Sequence, residues 1–139
     1  MNAPLYTVEI LRLAASLPEP VQLAKIDGSS SQRSPTCGST VETRVQLRDG
    51  RVEALSQTVS ACAFGQASAA LVAQQAPGHN RADVQIALDQ LAGWLAGDRD
   101  DPPHWPGFEA LAPARRRTGR HGAILLPLRA LLAALESAV

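Results

Sequence analysis

Cysteine is scarce in this chain: two thiols are too few for a disulfide-dense secreted scaffold. Aromatic residues are nearly as rare, with two Phe, two Trp and one Tyr, so the core has to be assembled from Leu, Val, Ile and Ala. Charge of either sign is not in excess, because thirteen basic residues balance thirteen acidic ones. That balance removes an overall basic bias toward nucleic acid and any acidic tail, and net-charge steering gives no clue to function. No apolar run approaches the roughly 20 residues of a membrane span, and the first residues lack a basic segment with a cleavage site. The expectation is one domain over residues 1–139, cytoplasmic, with reduced thiols and neither membrane nor nucleic acid as partner.

What the chain does contain is one legible hairpin bracketed by its two cysteines. Val41, Thr43, Val45 and Leu47 alternate with Glu42, Arg44, Gln46 and Arg48, the period-two pattern of a half-buried antiparallel strand. Asp49-Gly50 predicts a type I′ turn. The register that follows opposes Arg48 to Arg51, Leu47 to Val52, Val45 to Ala54 and Val41 to Thr58. Extended without interruption, it sets Cys37 opposite Cys62 with α carbons about 5 Å apart. The return strand is less regular: Val52 and Ala54 share one face while Leu55 and Val59 belong to the other, the mark of a bulge or of cover on the second face.

Around the hairpin the pattern is mostly helical. Pro4 and the spacing of Leu5, Val8, Leu11 and Ala15 predict a helix over residues 4–16, ended by Pro18 and Pro20. Val21, Leu23 and Ile26 alternate as a first strand would, and the serine-rich stretch from Gly28 to Ser34 reads as a loop, a surface linker or a flexible entry to Cys37. Ala63 to Gln75 is an alanine-rich helix stopped by Pro77-Gly78, and its small residues Ala67, Ser68, Ala69 and Ala70 suit close approach to a neighbour. Asn80 with Asp83 forms a variant capping box for a helix carrying Val84, Ala87, Leu88, Leu91 and Leu95 to a stop at Gly97. A polar, proline-rich loop follows, then the one basic cluster, Arg115-Arg116-Arg117, which without interleaved aromatics reads as a solvated or partner-facing loop. Pro127 fits the first turn of a last helix that buries Leu128, Leu131, Leu132 and Leu135.

Few residues here carry chemistry. Cys62 stands where a strand feeds a helix N-terminus, whose amides favour a thiolate. The dipole supplies only about 0.3–1 kcal/mol, less than one pKa unit, and leaves a thiol of pKa near 8.5 mostly protonated at neutral pH. A metal ion, in contrast, deprotonates a coordinating thiol outright. His121 lies at a helix start as well, where the dipole favours neutral imidazole, the ligand form, although capping and packing are the commoner uses of such a residue. His79 and His104 sit in loops without ligand-spaced partners.

Ser34-Pro35-Thr36-Cys37-Gly38, the hairpin, Cys62 leading Ala63-Phe64-Gly65-Gln66-Ala67-Ser68-Ala69-Ala70-Leu71, and His121 opening the last helix together resemble the iron–sulfur cluster assembly scaffold family of the IscU, NifU N-terminal and SufU type. The resemblance spans most of the chain in order and thins in the insert before His121. It implies an α+β fold, a small antiparallel three-stranded sheet with helices packed against one face. It also implies that Cys37 and Cys62 match the first two ligand cysteines and His121 the histidine preceding the third. Two departures stand out: Gly122 occupies the place of the third cysteine, and Ser39 the place of an aspartate associated with cluster lability. The long separation of Cys62 from His121 is similar to the SufU branch, which works with zinc as a sulfur acceptor.

The resemblance therefore implies a scaffold or sulfur-acceptor protein, a carrier more than an enzyme, that binds iron, a nascent 2Fe–2S cluster or zinc through Cys37, Cys62 and His121. Two thiolates and an imidazole are a partial tetrahedral set for zinc. They can also hold a 2Fe–2S centre if an external thiol, or Ser39, completes it. The implied partners are a cysteine desulfurase as sulfur donor and apo iron–sulfur acceptor proteins. Two alternatives remain open: a module that keeps the fold without cluster chemistry, and a dithiol redox protein using Cys37 and Cys62.

Overall fold

The hairpin forms where the pattern predicts it, with one change of consequence. In the computed structural model, which describes residues 6–35 and 37–138, β2 (Thr40–Arg48) and β3 (Arg51–Ser60) pair antiparallel. The turn residues Asp49 and Gly50 have φ of 53° and 75°, the left-handed values a type I′ turn requires. Arg48 faces Arg51 and Leu47 faces Val52 as expected, but the register then shifts between Gln46 and Leu47. Ala54 faces Gln46, Leu55 faces Val45 and Val59 faces Val41, so the expected pairs Val45–Ala54 and Val41–Thr58 do not form. The ladder ends at Thr40 and Ser60, and Cys37 is not the cross-strand partner of Cys62. The cause is the bulge anticipated from the irregular strand: Glu53 is the extra residue, and beyond it Leu55 and Val59 return to the face on which Val41 and Val45 are buried.

The third strand is not where alternation placed it. β1 (Gly28–Arg33) is the serine-rich stretch, paired antiparallel to β2 from Gly28–Val45 to Arg33–Thr40 and giving the sheet order β1-β2-β3. Val21 to Ile26 forms no strand, and two of its amides go to side chains instead of a ladder: the Val21 N–H donates to Ser56 Oγ at 3.0 Å and the Lys25 N–H to Gln46 Oε1 at 3.3 Å. The Asp27 carboxylate then accepts from the Leu47 N–H at 2.6 Å, beside the register shift. Serine suits β1 for a reason that alternation cannot reveal. Ser30 Oγ donates to the Ala130 carbonyl at 2.6 Å and the Ser29 N–H donates to Ser137 Oγ at 3.0 Å, so small hydroxyl side chains tie the strand to the last helix. Gly28 completes the seat, since a Cβ there would run into the Ala134 carbonyl.

The helices cover one face of this sheet. α1 (Val8–Ala15) begins later than expected, capped by Thr7 Oγ1, which accepts from the Ile10 N–H at 3.1 Å. Pro4 and Leu5 lie outside the described residues, Val8 and Leu11 face solvent, and Ile10 is the buried residue of this helix. α2 (Ala63–Gln75) has its expected bounds, and its small residues do admit a close neighbour. Ser68 Oγ donates to the Ile124 carbonyl of the last helix at 2.6 Å, and Gln57 Nε2 of β3 donates to the Ala69 carbonyl at 3.0 Å. α3 (Arg81–Ala96) carries the full Asn80–Asp83 capping box and ends at Gly97, whose φ is 84°. Within the proline-rich loop, Trp105 is buried and its Nε1–H donates to the Leu71 carbonyl at 2.9 Å.

A 3-10 segment, Phe108–Arg116, then leads into α4 (Thr118–Ser137). The basic cluster is therefore not one solvated loop. Arg115 lies over the Trp94 ring and its Nε–H donates to the Trp94 carbonyl at 2.9 Å, completing the C-terminal end of α3, while Arg116 and Arg117 are exposed. Pro127 is interior to α4 rather than in its first turn, because the helix already starts at Thr118. It offers no N–H to the Ala123 carbonyl one turn earlier. Leu128 and Leu131 are fully buried in the core between sheet and helices.

Candidate thiol site

Both cysteines come to one place, though not through the strand register. Cys37 precedes β2, in a tight turn closed by two backbone bonds: the Gly38 N–H donates to the Ser34 carbonyl at 2.9 Å and the Ser34 N–H to the Ser39 carbonyl at 2.8 Å. Gly38 has φ of 73°, a conformation that glycine adopts without strain. Cys62 is the N-cap of α2, directly after β3. The two free thiols line one cavity of about 270 Å³, closed by Ser39, Ser60 and the start of α4 at Gly119, Arg120 and Ala123. Beneath them α2 and α4 run close, since a Cβ on Gly65 would stand 3.4 Å from the Ala123 carbonyl oxygen.

The better-supported thiolate is Cys37. Hydrogen bonds from the Ser34 hydroxyl, and next from the Ser39 hydroxyl at 3.0 Å, hold its pKa below the ordinary thiol value, with backbone N–H groups helping and desolvation opposing. Ser34 and Ser39 are both buried while Cys37 is exposed, so the donors are held by the turn and the sulfur is accessible. Ser34, read from the sequence as the end of a linker, is thus part of the site. A serine three residues before Cys37, followed by proline, was the available signal. Cys62 carries no side-chain capping bond, so its sulfur is not committed to the α2 amides.

His121 is placed differently. It sits in the first turn of α4, next to Arg120, but does not itself line the thiol cavity. Its Nε2 is 2.9 Å from the Ala114 carbonyl and 3.0 Å from the Arg115 carbonyl, and carbonyls accept only, so Nε2 bears a proton and the lone pair of the neutral ring is on Nδ1. Among the described residues no three His, Cys, Asp or Glu side chains gather into a metal-binding group. The structure therefore joins Cys37, Cys62 and Ser39, and leaves His121 on the neighbouring side of the same helix start. His79 stacks on Trp105 and meets Asp83, and His104 is exposed. Among the described residues no helix is long and apolar enough to cross a membrane.

Comparison with known proteins decides the fold's affiliation. No family model matches the sequence, and no curated protein matches it significantly. Solved structures do. A nitrogen-fixing NifU-like protein (N-terminal) from Brucella abortus superposes with a TM-score of 0.89 at 29% identity, over 96% of this chain and 94% of that one. The fold is that of the NifU-type iron–sulfur scaffold family. A protein described as an iron–sulfur cluster assembly scaffold for the SUF system, from Fervidobacterium islandicum, shares this NifU-type fold with a TM-score of 0.77 at 17% identity, over 94% and 96% of the two chains. The three-stranded antiparallel sheet and the helices on its face agree with that affiliation, as the motifs around Cys37 and Cys62 implied. Within the NifU-like frame, Gly122 follows His121 and Ser39 follows Gly38, the two departures noted in the sequence.

Proposed function

We propose that this protein is a scaffold or sulfur acceptor in iron–sulfur cluster assembly, taking sulfur from a cysteine desulfurase and passing its cargo to apo iron–sulfur proteins. The observation that carries this reading is the meeting of Cys37 and Cys62 in one accessible cavity of a NifU-type fold. Two soft thiolates suit iron, a 2Fe–2S cargo or zinc, and an open remainder of the coordination sphere is what transfer requires.

His121 is proposed as a third donor through Nδ1. The support is chemical: an imidazole whose other nitrogen donates to backbone carbonyls is in the tautomer that metal-ligating histidines use. Ser39 is an accessory group, because its hydroxyl stands 3.0 Å from the Cys37 sulfur where an anionic carboxylate would repel a thiolate.

Anaerobic reconstitution with iron and sulfide tests the reading. The native protein is expected to develop cluster absorption and to retain iron after desalting. Cys37→Ser and Cys62→Ser lose it, and His121→Ala lowers retention. Zinc analysis of the protein as isolated distinguishes a zinc-holding sulfur acceptor from an iron scaffold. A native protein that binds neither metal in stoichiometric amount overturns the reading and leaves the module without cluster chemistry.

A further inference from the structure

The thiol cavity lacks a third cysteine, and its surroundings indicate what could replace it. Among the described residues no carboxylate lines the cavity. Arg120 does line it, half-buried in the first turn of α4, and pairs with no carboxylate among the described residues. A second guanidinium is close: Nη2 of Arg33, at the end of β1, lies 3.8 Å from the position a Cβ on Gly38 would take. Two helix N-termini converge on the same space, since Cys62 caps α2 and Gly119 and Arg120 open α4. Their amide ends and the Arg120 guanidinium favour a negative guest, with the exposed Arg33 outside the cavity lining.

Size narrows the class. About 270 Å³ lies below the roughly 300–1,000 Å³ of sites for drug-sized molecules, so the guest is of amino-acid size. Two thiols on the cavity wall and a cation at its edge select a guest with one sulfur and one anionic group.

We propose that the cavity binds a small thiol carboxylate, its carboxylate on Arg120 and its sulfur beside Cys37 and Cys62, where it adds a third sulfur to the two that the chain supplies there. This rests on the cluster-assembly reading above. The guest coordinates as a thiolate, its proton passing to solvent, and no electron is transferred. Arg120 is a positioning residue: it holds the guest and does not touch the metal. The serine at position 39 belongs to the same device, because an aspartate there would bring a negative charge beside both the thiolate and the guest.

Two measurements on the full chain test this. In the first, iron and sulfide reconstitution is run with cysteine or with cysteamine, which lacks the carboxylate, as the added thiol. Cysteine is expected to raise iron retention in the native protein about two- to fivefold over cysteamine, the scale of one partly exposed ion pair. Arg120→Ala abolishes that advantage and Arg120→Lys restores part of it. In the second, metal-free protein reacts with the dianionic dithiobis(nitrobenzoate) or the neutral dithiodipyridine, each exchange releasing one aromatic thiolate. The anionic-to-neutral rate ratio is expected to fall about two- to fivefold in Arg120→Ala and to shrink for the native protein in high salt. Thermal unfolding of each variant confirms that it folds. A cluster that forms equally with either thiol, or is indifferent to Arg120, overturns this proposal and leaves the assembly reading standing. Failure to form a cluster with either thiol overturns this proposal, and it overturns the assembly reading as well when the protein also holds no zinc.

Discussion

At the scale of single residues, function concentrates on Cys37 and on two hydroxyls that a composition count passes over. The Ser34 and Ser39 hydroxyls stabilise the charged form of Cys37, so its reactive form persists to lower pH than in an ordinary thiol. The sign is direct: a lowered pKa means more thiolate at pH 7, lost as the pH falls through the lowered value. Alkylation of the metal-free Cys62→Ser protein by iodoacetamide, followed against pH, is expected to show a midpoint that moves up in Ser34→Ala and again in Ser39→Ala. An unmoved midpoint in both would mean that the turn, not its hydroxyls, sets the reactivity. Cys37 and Ser39 were legible from the sequence because a motif flagged them. Ser34 stood in the same motif but was read as the end of a linker, and Arg120 was not flagged at all, since its place depends on a helix start brought to the sulfur from a distant segment.

At the scale of elements, local chemistry and tertiary packing divide the chain between them. α2, α3 and the Asp49–Gly50 turn follow their local signals closely, because caps, glycine stops and turn residues act within a few positions of one another. The Asn80–Asp83 box has a measurable consequence. Asp83 accepts from the Asn80 N–H and stands near His79 and Arg51, and these partners lower its pKa. Stability from this carboxylate is therefore present above the unfolded value, about pH 4, and is lost as the pH drops through the lower folded value. Asp83→Asn is expected to cost about 0.3–1 kcal/mol in urea unfolding at pH 7, the scale of a partly exposed, solvent-screened charge in a first helical turn, and less at acid pH as the native carboxylate takes up its proton. An equal cost at both pH values would show that the side chain acts here without its charge. β1 is the opposite case. Its serines have little strand propensity, and they form a strand because α4 and β2 supply partners on two sides.

At the scale of the whole molecule, α4 is the element on which the rest converge, with contacts to the sheet, to α2 and to the thiol cavity. Its seat depends on Gly28, where any side chain meets the Ala134 backbone rather than a yielding side-chain end. Gly28→Ala is expected to destabilise by about 1–3 kcal/mol and lower the urea midpoint at unchanged slope. An unshifted midpoint would mean that helix and sheet separate at little cost.

By itself the sequence determined the hairpin turn and the extents of α2 and α3, because each rests on interactions between residues near in the chain, while the α+β class came from the resemblance carried by the motifs around Cys37 and Cys62. Its register rule failed at Glu53, since a bulge is decided by which side chains find cover on the core face. Only the tertiary structure decided that a serine run is the third strand, that Pro127 is carried inside a helix, and that Arg120 enters the thiol cavity while His121 turns to the carbonyls of Ala114 and Arg115. The physical reason is the same in each case: backbone polar groups and side-chain directions are settled by partners distant in sequence, and those partners exist only once α4 has docked on the sheet.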